Sequence, residues 1–264
     1  MTEQDLDKRL KFTCDLARRA GAFALGHFQN LSALHIQSKG VQDMATEADV
    51  DTETMIRQAL SDEYPQDNFL GEESCEDFKP ERGQGNWVVD PIDGTQPFIS
   101  GIPSWCIAIA YVADDQTLVA VVFDPNQDEM YAARLGGGAT LNGVSCSATT
   151  VSSLADGLVG IGYSKRVSPE AMLEPMARLL TADGMFHRCG SGALSLAYVA
   201  AGRLAGYFEP HMNAWDTVAG LLLVTEAGGS CCDFMGDPNA LEKGGEVLAA
   251  GANLYPALER AIRG

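Results

Sequence analysis

Positive charge is scarce in this chain. Its 264 residues hold 18 lysines and arginines against 36 aspartates and glutamates, a net charge of -18 at pH 7. That balance argues against nucleic acid and anionic membrane as partners. No stretch reaches the ~18 consecutive apolar residues that a membrane span needs. The seven cysteines are odd in number and irregularly spaced, with no C-x-x-C pair, and Thr2 to Lys11 is charged and polar rather than a secretory signal. A reduced, cytoplasmic protein is the expectation. Cys231-Cys232 falls at a strand-like position and reads as packing. HExxH and G-x-S-x-G are both missing, and the four histidines are scattered. No Lys-Ser/Thr follows Gly136-Gly137-Gly138, so that stretch is turn chemistry and not a P-loop. Internal repeats and low-complexity segments are absent. What remains is a globular composition, 46% hydrophobic and 20% charged, with enough chain for a large core.

The pattern of elements predicts two textures. Residues 5–28 read as an amphipathic helix, with Leu6, Leu10, Phe12, Ala17, Ala20, Ala24 and Phe28 on one side. Thr46 followed by Asp49 predicts a capping box opening a helix to about residue 60, with Val50, Ile56 and Leu60 inward. A strand over 68–71 ends in Glu72-Glu73. Trp87-Val88-Val89 reads as a buried strand ending in Asp90, with a helix starting near Thr95 and Pro97 tolerated in its first turn. Residues 105–112, 117–123 and 129–134 predict an antiparallel meander. After about residue 144 the alternation shortens: strands over 157–162, 184–188, 205–209 and 246–250, helices over 168–181, 192–202, 214–227 and 253–262. Gly228-Gly229 closes the helix that begins near Trp215-Asp216. Two halves are expected, an α+β half over 1–145 and an α/β half over 146–264, forming one compact unit.

Asp49, Glu72, Asp90, Asp93 and Asp216 all fall at the ends of predicted elements, with Thr95 beside them. Taken singly, each has an ordinary explanation as a turn former or a first-turn charge on a helix dipole. Together they form an all-oxygen acidic set, the chemistry of Mg²⁺-assisted phosphoryl transfer to water. An EF-hand is excluded, since its twelfth position counted from Asp90 is Gly101 and not Glu. An aspartyl-phosphate mechanism wants its two acids two apart, whereas Asp90 and Asp93 are three apart; it is left as an alternative.

Several stretches resemble the inositol monophosphatase family, which includes fructose-1,6-bisphosphatases and 3′,5′-bisphosphate nucleotidases. They are Gly71-Glu72-Glu73-Ser74, Asp90-Pro91-Ile92-Asp93-Gly94-Thr95 with Phe98, Gly101 and Pro103 after it, and Trp215-Asp216-x-x-Ala219-Gly220 followed by Glu226-Ala227-Gly228-Gly229. Thr46 and Asp49 match the family's earlier T-x-x-D, within the stretch from Lys39 to Asp49. The resemblance implies a layered αβαβα sandwich. It implies two or three Mg²⁺ ions per subunit, one held by Glu72, Asp90 and the Ile92 carbonyl, a second by Asp90, Asp93 and Asp216. Thr95, oriented by Asp49, would with Glu72 help a metal-activated water attack in line, and the Gly94 and Thr95 N–H groups would hold the phosphate. Asp93, Gly192 and Glu209 would face the alcohol part of the substrate. A homodimer and a small phosphorylated polyol as substrate follow as family expectations. Two positions depart from the family pattern: Pro97 stands where it has asparagine, and Ala205 where it has an acid, which puts inositol specificity in question. Histidinol phosphate, other sugar phosphates, a 3′,5′-bisphosphate nucleotide and a non-catalytic phospho-ligand-binding role stay open at this point.

Overall fold

The computed structural model describes every residue except 34–35, 41–42 and 79–82. In chain order it runs α1 (Glu3–Phe28), β1 (Ile36–Gly40), β2 (Asp43–Thr46), α2 (Glu47–Glu63), β3 (Asn68–Gly71), β4 (Asn86–Asp93) and α3 (Thr95–Ile99). There follow β5 (Cys106–Ala113), β6 (Gln116–Asp124), β7 (Glu129–Arg134), β8 (Ala139–Leu141), β9 (Val144–Ser145) and β10 (Leu158–Ile161). The rest is α4 (Glu170–Thr181), β11 (Met185–His187), α5 (Gly192–Ala200), β12 (Gly206–Met212), α6 (Ala214–Glu226), β13 (Gly229–Cys231), α7 (Ala240–Lys243), β14 (Gly245–Gly251) and α8 (Tyr255–Arg263).

Two large sheets organise the chain. One has seven strands in the order β3-β4-β5-β6-β7-β8-β9, and the other has five in the order β11-β10-β12-β14-β13. Three apolar clusters fill the gaps between layers. The first lies between α1, α2 and the seven-stranded sheet, around Leu16, Ile56, Trp87 and Trp105. A second joins both sheets through α5 and α6. The third lies between the five-stranded sheet and α4 and α8, around Leu179, Phe208 and Leu258. This is the expected αβαβα sandwich. Helices α5 and α6 are buried on nearly every face, as a layer between two sheets must be.

The predicted elements are present, with four differences. Strand β4 runs past Asp90 to Asp93, because one extra residue is accommodated as a bulge. Val50 is 48% exposed, so it is not on the inward face of α2; that face belongs to Ala48, Asp49, Thr52, Glu53, Ile56 and Leu60. Phe12 lies only half-buried, whereas Thr13 and Leu16, which the helical count passed over, are buried. Strands β1, β2, β8, β9 and β13 and the short α7 were not expected, being too short or too polar to carry a period. Of the stretch from Lys39 to Asp49, residues 41–42 lie outside the described residues.

Candidate active site

A regular strand points residues i and i+3 to opposite faces. Asp90 pairs with Ala108 and Asp93 with Cys106, so three steps along β4 match two along β5. The extra residue turns both carboxylates to one side, and Pro91, which has no N–H to give a ladder, sits within that bulge. Asp90, Asp93 and Asp216 thereby offer ligand oxygens that all lie within 4.8 Å of one another. Asp216 arrives from the other half of the chain, at the third position of α6, where it accepts from the Asn213 N–H at 3.3 Å. Glu72 follows β3, which runs parallel to β4, and its N–H donates to the Val89 carbonyl at 3.2 Å.

The chain offsets these charges only in part, the Arg166 charge working against the rise of Asp216. Burial pushes the Asp90 carboxyl well up, and the charges of Glu72, Asp93 and Asp216 push it further. Burial and Asp216 lift Asp93 to about 7. Burial raises Asp216 as well. Among the described residues no ion pair involves Asp90, Asp93 or Asp216. Buried like charges of this kind are costly unless a cation joins them. A cluster of carboxylate oxygens, joined by no histidine or cysteine among the described residues, fits a hard divalent ion such as Mg²⁺.

Thr95 opens α3 directly after the bulge. Its hydroxyl lies 3.3 Å from Asp49 Oδ1 and 3.3 Å from the Ile92 carbonyl. Asp49 is fixed at the start of α2, where Oδ2 accepts from the Thr46 N–H at 2.8 Å and from the Thr46 hydroxyl at 2.6 Å. Burial raises Asp49 to about 6 against these bonds. Gly94 has φ +102°, and a Cβ there would meet the Ser104 carbonyl oxygen at 2.9 Å. Only glycine fits that turn.

Asp93 is clamped from the far half. Its Oδ2 accepts from the Ser191 hydroxyl at 2.5 Å and the Ala193 N–H at 2.7 Å, and the Gly192 N–H lies 3.4 Å from Oδ1. A cleft of about 140 Å³ opens beside it, lined among others by Asp93, Arg188, Gly192, Tyr207, Glu209 and Asp216. Glu209 is buried and lifted to about 7, first by burial.

A profile of the inositol monophosphatase family matches residues 5–263. The chain belongs to the inositol monophosphatase family. It is 37% identical over 257 residues to a protein of Xylella fastidiosa named Nus factor SuhB, covering 93% of this chain and 91% of that one. Identity to an inositol-1-monophosphatase of Rhizobium meliloti is 36% over 247 residues, 93% of this chain and 92% of that one. The solved inositol monophosphatase of Anabaena superposes with a TM-score of 0.84 at 29% identity, covering 97% of this chain and 96% of that one.

Within this phosphatase family's scaffold, the two departures fall in different places. Pro97 packs against Gly190, where a Cβ would lie 2.7 Å from the proline ring, and Gly190 lines the cleft. Ala205 is buried under Gly157 in the apolar layer beneath α4 and α8, away from the cleft lining. An acid at 205 would be buried in that apolar cluster.

Sequence reasoning missed four contributors. Glu53, one helical turn after Asp49, is 4% exposed and accepts from the Glu73 N–H at 2.8 Å, bracing the turn that carries Glu72. The Asp49-x-x-x-Glu53 spacing on an inward helix face was a readable signal. Ser191 and Tyr207 carried none, since their partners are far away in sequence or emerge only from the strand face. Glu226 was noted only as part of a motif. It accepts from the Gly136 and Gly138 N–H groups at 2.8 and 2.7 Å, closing the glycine-rich turn onto α6.

Proposed function

We propose that this chain hydrolyses a small phosphate monoester in an Mg²⁺-dependent reaction, with a polyol phosphate of the inositol-1-phosphate kind as substrate. The observation that carries the reading is the trio of Asp90, Asp93 and Asp216, gathered within 4.8 Å with no ion pair to any of them among the described residues, beside a Thr95–Asp49 pair. Glu72, Asp90, the Ile92 carbonyl, Asp93 and Asp216 would hold the metal. Mg²⁺ bound there supplies positive charge to the phosphate oxygens and to the attacking and leaving oxygens. Thr95, whose hydroxyl donates to Asp49, keeps its lone pairs for a water, so proton density can pass from water to Thr95 and on to Asp49. Glu72 would flank the same water. The Gly94 and Thr95 N–H groups, at the turn into α3, would orient the phosphate. Asp93, Gly192 and Glu209 would face the alcohol. Halves 1–145 and 146–264 work as one unit in this reading, because Asp93 depends on Ser191 for its orientation.

A homodimer belongs to the same proposal. Leu173 and Leu180 of α4 and Phe186 of the edge strand β11 expose apolar side chains that a second copy would cover. Sedimentation of the intact chain tests it: a dimer is expected, and a monomer at all concentrations contradicts it. No described helix is long and apolar enough to cross a membrane, and the net charge of -18 argues against a polyanion as ligand. Location in the cytoplasm is part of the proposal.

Phosphate release tests the reaction, from inositol-1-phosphate, glucose-1-phosphate, glycerol-2-phosphate, fructose-1,6-bisphosphate, histidinol phosphate and adenosine 3′,5′-bisphosphate, with and without Mg²⁺. Release only with Mg²⁺, fastest from a polyol phosphate, is expected. No release from any of them by folded protein overturns the reading in favour of a phospho-ligand-binding protein, a possibility consistent with relatives whose names are not those of enzymes.

A further inference from the structure

Tyr207 and Glu209 are two apart on β12 and therefore share a strand face. The Tyr207 hydroxyl donates to Glu209 Oε2 at 2.6 Å, and both residues are buried at 1% and 8% exposure. Both line the cleft beside Asp93 and Asp216. Room for the pair is made by Gly162, which follows the parallel neighbour β10. A Cβ on Gly162 would lie 2.0 Å from Glu209 Oε2 and 2.2 Å from the Tyr207 oxygen. Gly192 makes room for a different neighbour, since a Cβ there would lie 2.4 Å from Met212 Cε but at an ordinary 3.5 Å from the Tyr207 oxygen. Glu209 Oε1 takes no hydrogen bond among the described residues.

From this geometry we infer that Tyr207, seated in the gap left by Gly162, is a positioning residue for substrate selection. It occupies one oxygen of Glu209 and so fixes the carboxylate plane. The other oxygen is then presented, already oriented, to a donor on the alcohol part of the substrate. A buried carboxylate oxygen rewards a hydroxyl that donates to it and penalises an alcohol that leaves it unpaired. The site therefore selects phosphate esters of alcohols that carry a further hydroxyl donor over esters that carry none. This rests on the phosphatase reading above.

The test compares kcat/KM for inositol-1-phosphate with kcat/KM for phenyl phosphate, whose leaving group has no further donor, in the Mg²⁺-loaded full chain. Tyr207→Phe is expected to lower the ratio of the two by about tenfold, mostly through KM for the polyol ester. Glu209→Gln lowers the same ratio, and Tyr207→Phe added to it lowers the ratio no further. Gly162→Ala, which crowds the same pair from another strand, is expected to lower the ratio too, and thermal melts confirm that each variant is folded. An unchanged ratio in folded Tyr207→Phe overturns the inference. So does a fall of equal size in the Glu209→Gln background, which would mean that Tyr207 acts independently of Glu209. Wild-type protein that hydrolyses neither ester overturns the phosphatase reading itself, and this inference with it.

Discussion

The two ends of β4 treat buried charge in opposite ways. At the start, near Trp87, the chain answers its own cation. The Arg9 guanidinium bonds Asp67 at 2.6 Å and lies 4.1 Å from the ring centres of both Tyr64 and Tyr111. Asp67 also accepts from the Trp87 indole N–H at 3.2 Å. At the finish, Asp90 and Asp93 meet Asp216 with no such partner among the described residues. One strand thus carries a closed electrostatic account at one end and an open one at the other. A closed arrangement of this kind is a device of stability, tying α1 to the sheet. The open one is a binding site, because only something outside the chain can close it.

That contrast can be broken most forcefully at the open end. Asp90→Asn should reduce Mg²⁺-dependent phosphate release by at least about a thousandfold while raising the melting temperature of metal-free protein, since repulsion is relieved. A variant that loses both activity and stability would mean that Asp90 is structural. At the closed end the signs reverse: Asp67→Asn should cost about 3 kcal/mol in urea unfolding by stranding Arg9, with kcat held near wild type when measured on the folded fraction. Equal loss of stability at both ends would erase the distinction.

Titration sharpens it further. Asp93 and Glu209 are lifted to about 7 and Asp49 to about 6, from ordinary values of 3.8, 4.5 and 3.8. A carboxyl whose folded pKa is raised stabilises the fold while protonated and loses that contribution as pH climbs through the folded value. Metal-free protein should therefore lose about 5 °C of melting temperature between pH 5 and pH 8. Saturating Mg²⁺ should flatten the curve, because the ion favours the charged forms. A melting temperature that rises over that range without metal would contradict the raised values. The smallest effect concerns the clamp between the halves: Ser191→Ala should cost about 1 kcal/mol and weaken Mg²⁺ binding severalfold, read by calorimetry. Unchanged binding would show that the Ala193 and Gly192 N–H groups hold Asp93 unaided.

Much of this was legible beforehand because it is local. The capping box at Thr46 and Asp49 is seen as read, with both reciprocal bonds formed. The meander of β5, β6 and β7 followed from short apolar runs separated by Asp-rich turns. Asp90-Pro91-Ile92-Asp93 announced an acid-rich strand end. What it could not announce was the bulge, since the extra residue is counted only against β5. Nor could it foresee that the near side of Asp93 would be held by Ser191, 98 residues away in sequence. Val50 was misplaced for a related reason. Ile56 and Leu60 face inward as their apolar character predicts, but the first turn of α2 is oriented by the bonding needs of Asp49 and Glu53, which turns Val50 outward. Polar side chains that organise a site leave no periodic trace, and their partners are fixed by tertiary contact.

Calorimetric titration of Mg²⁺ into metal-free protein is the most direct test of the open end. The account predicts saturable binding of roughly two ions per chain, reduced in Asp90→Asn and accompanied by a higher melting temperature. Wild-type protein that binds no Mg²⁺ at millimolar concentration, or binds it equally well without Asp90, would contradict it.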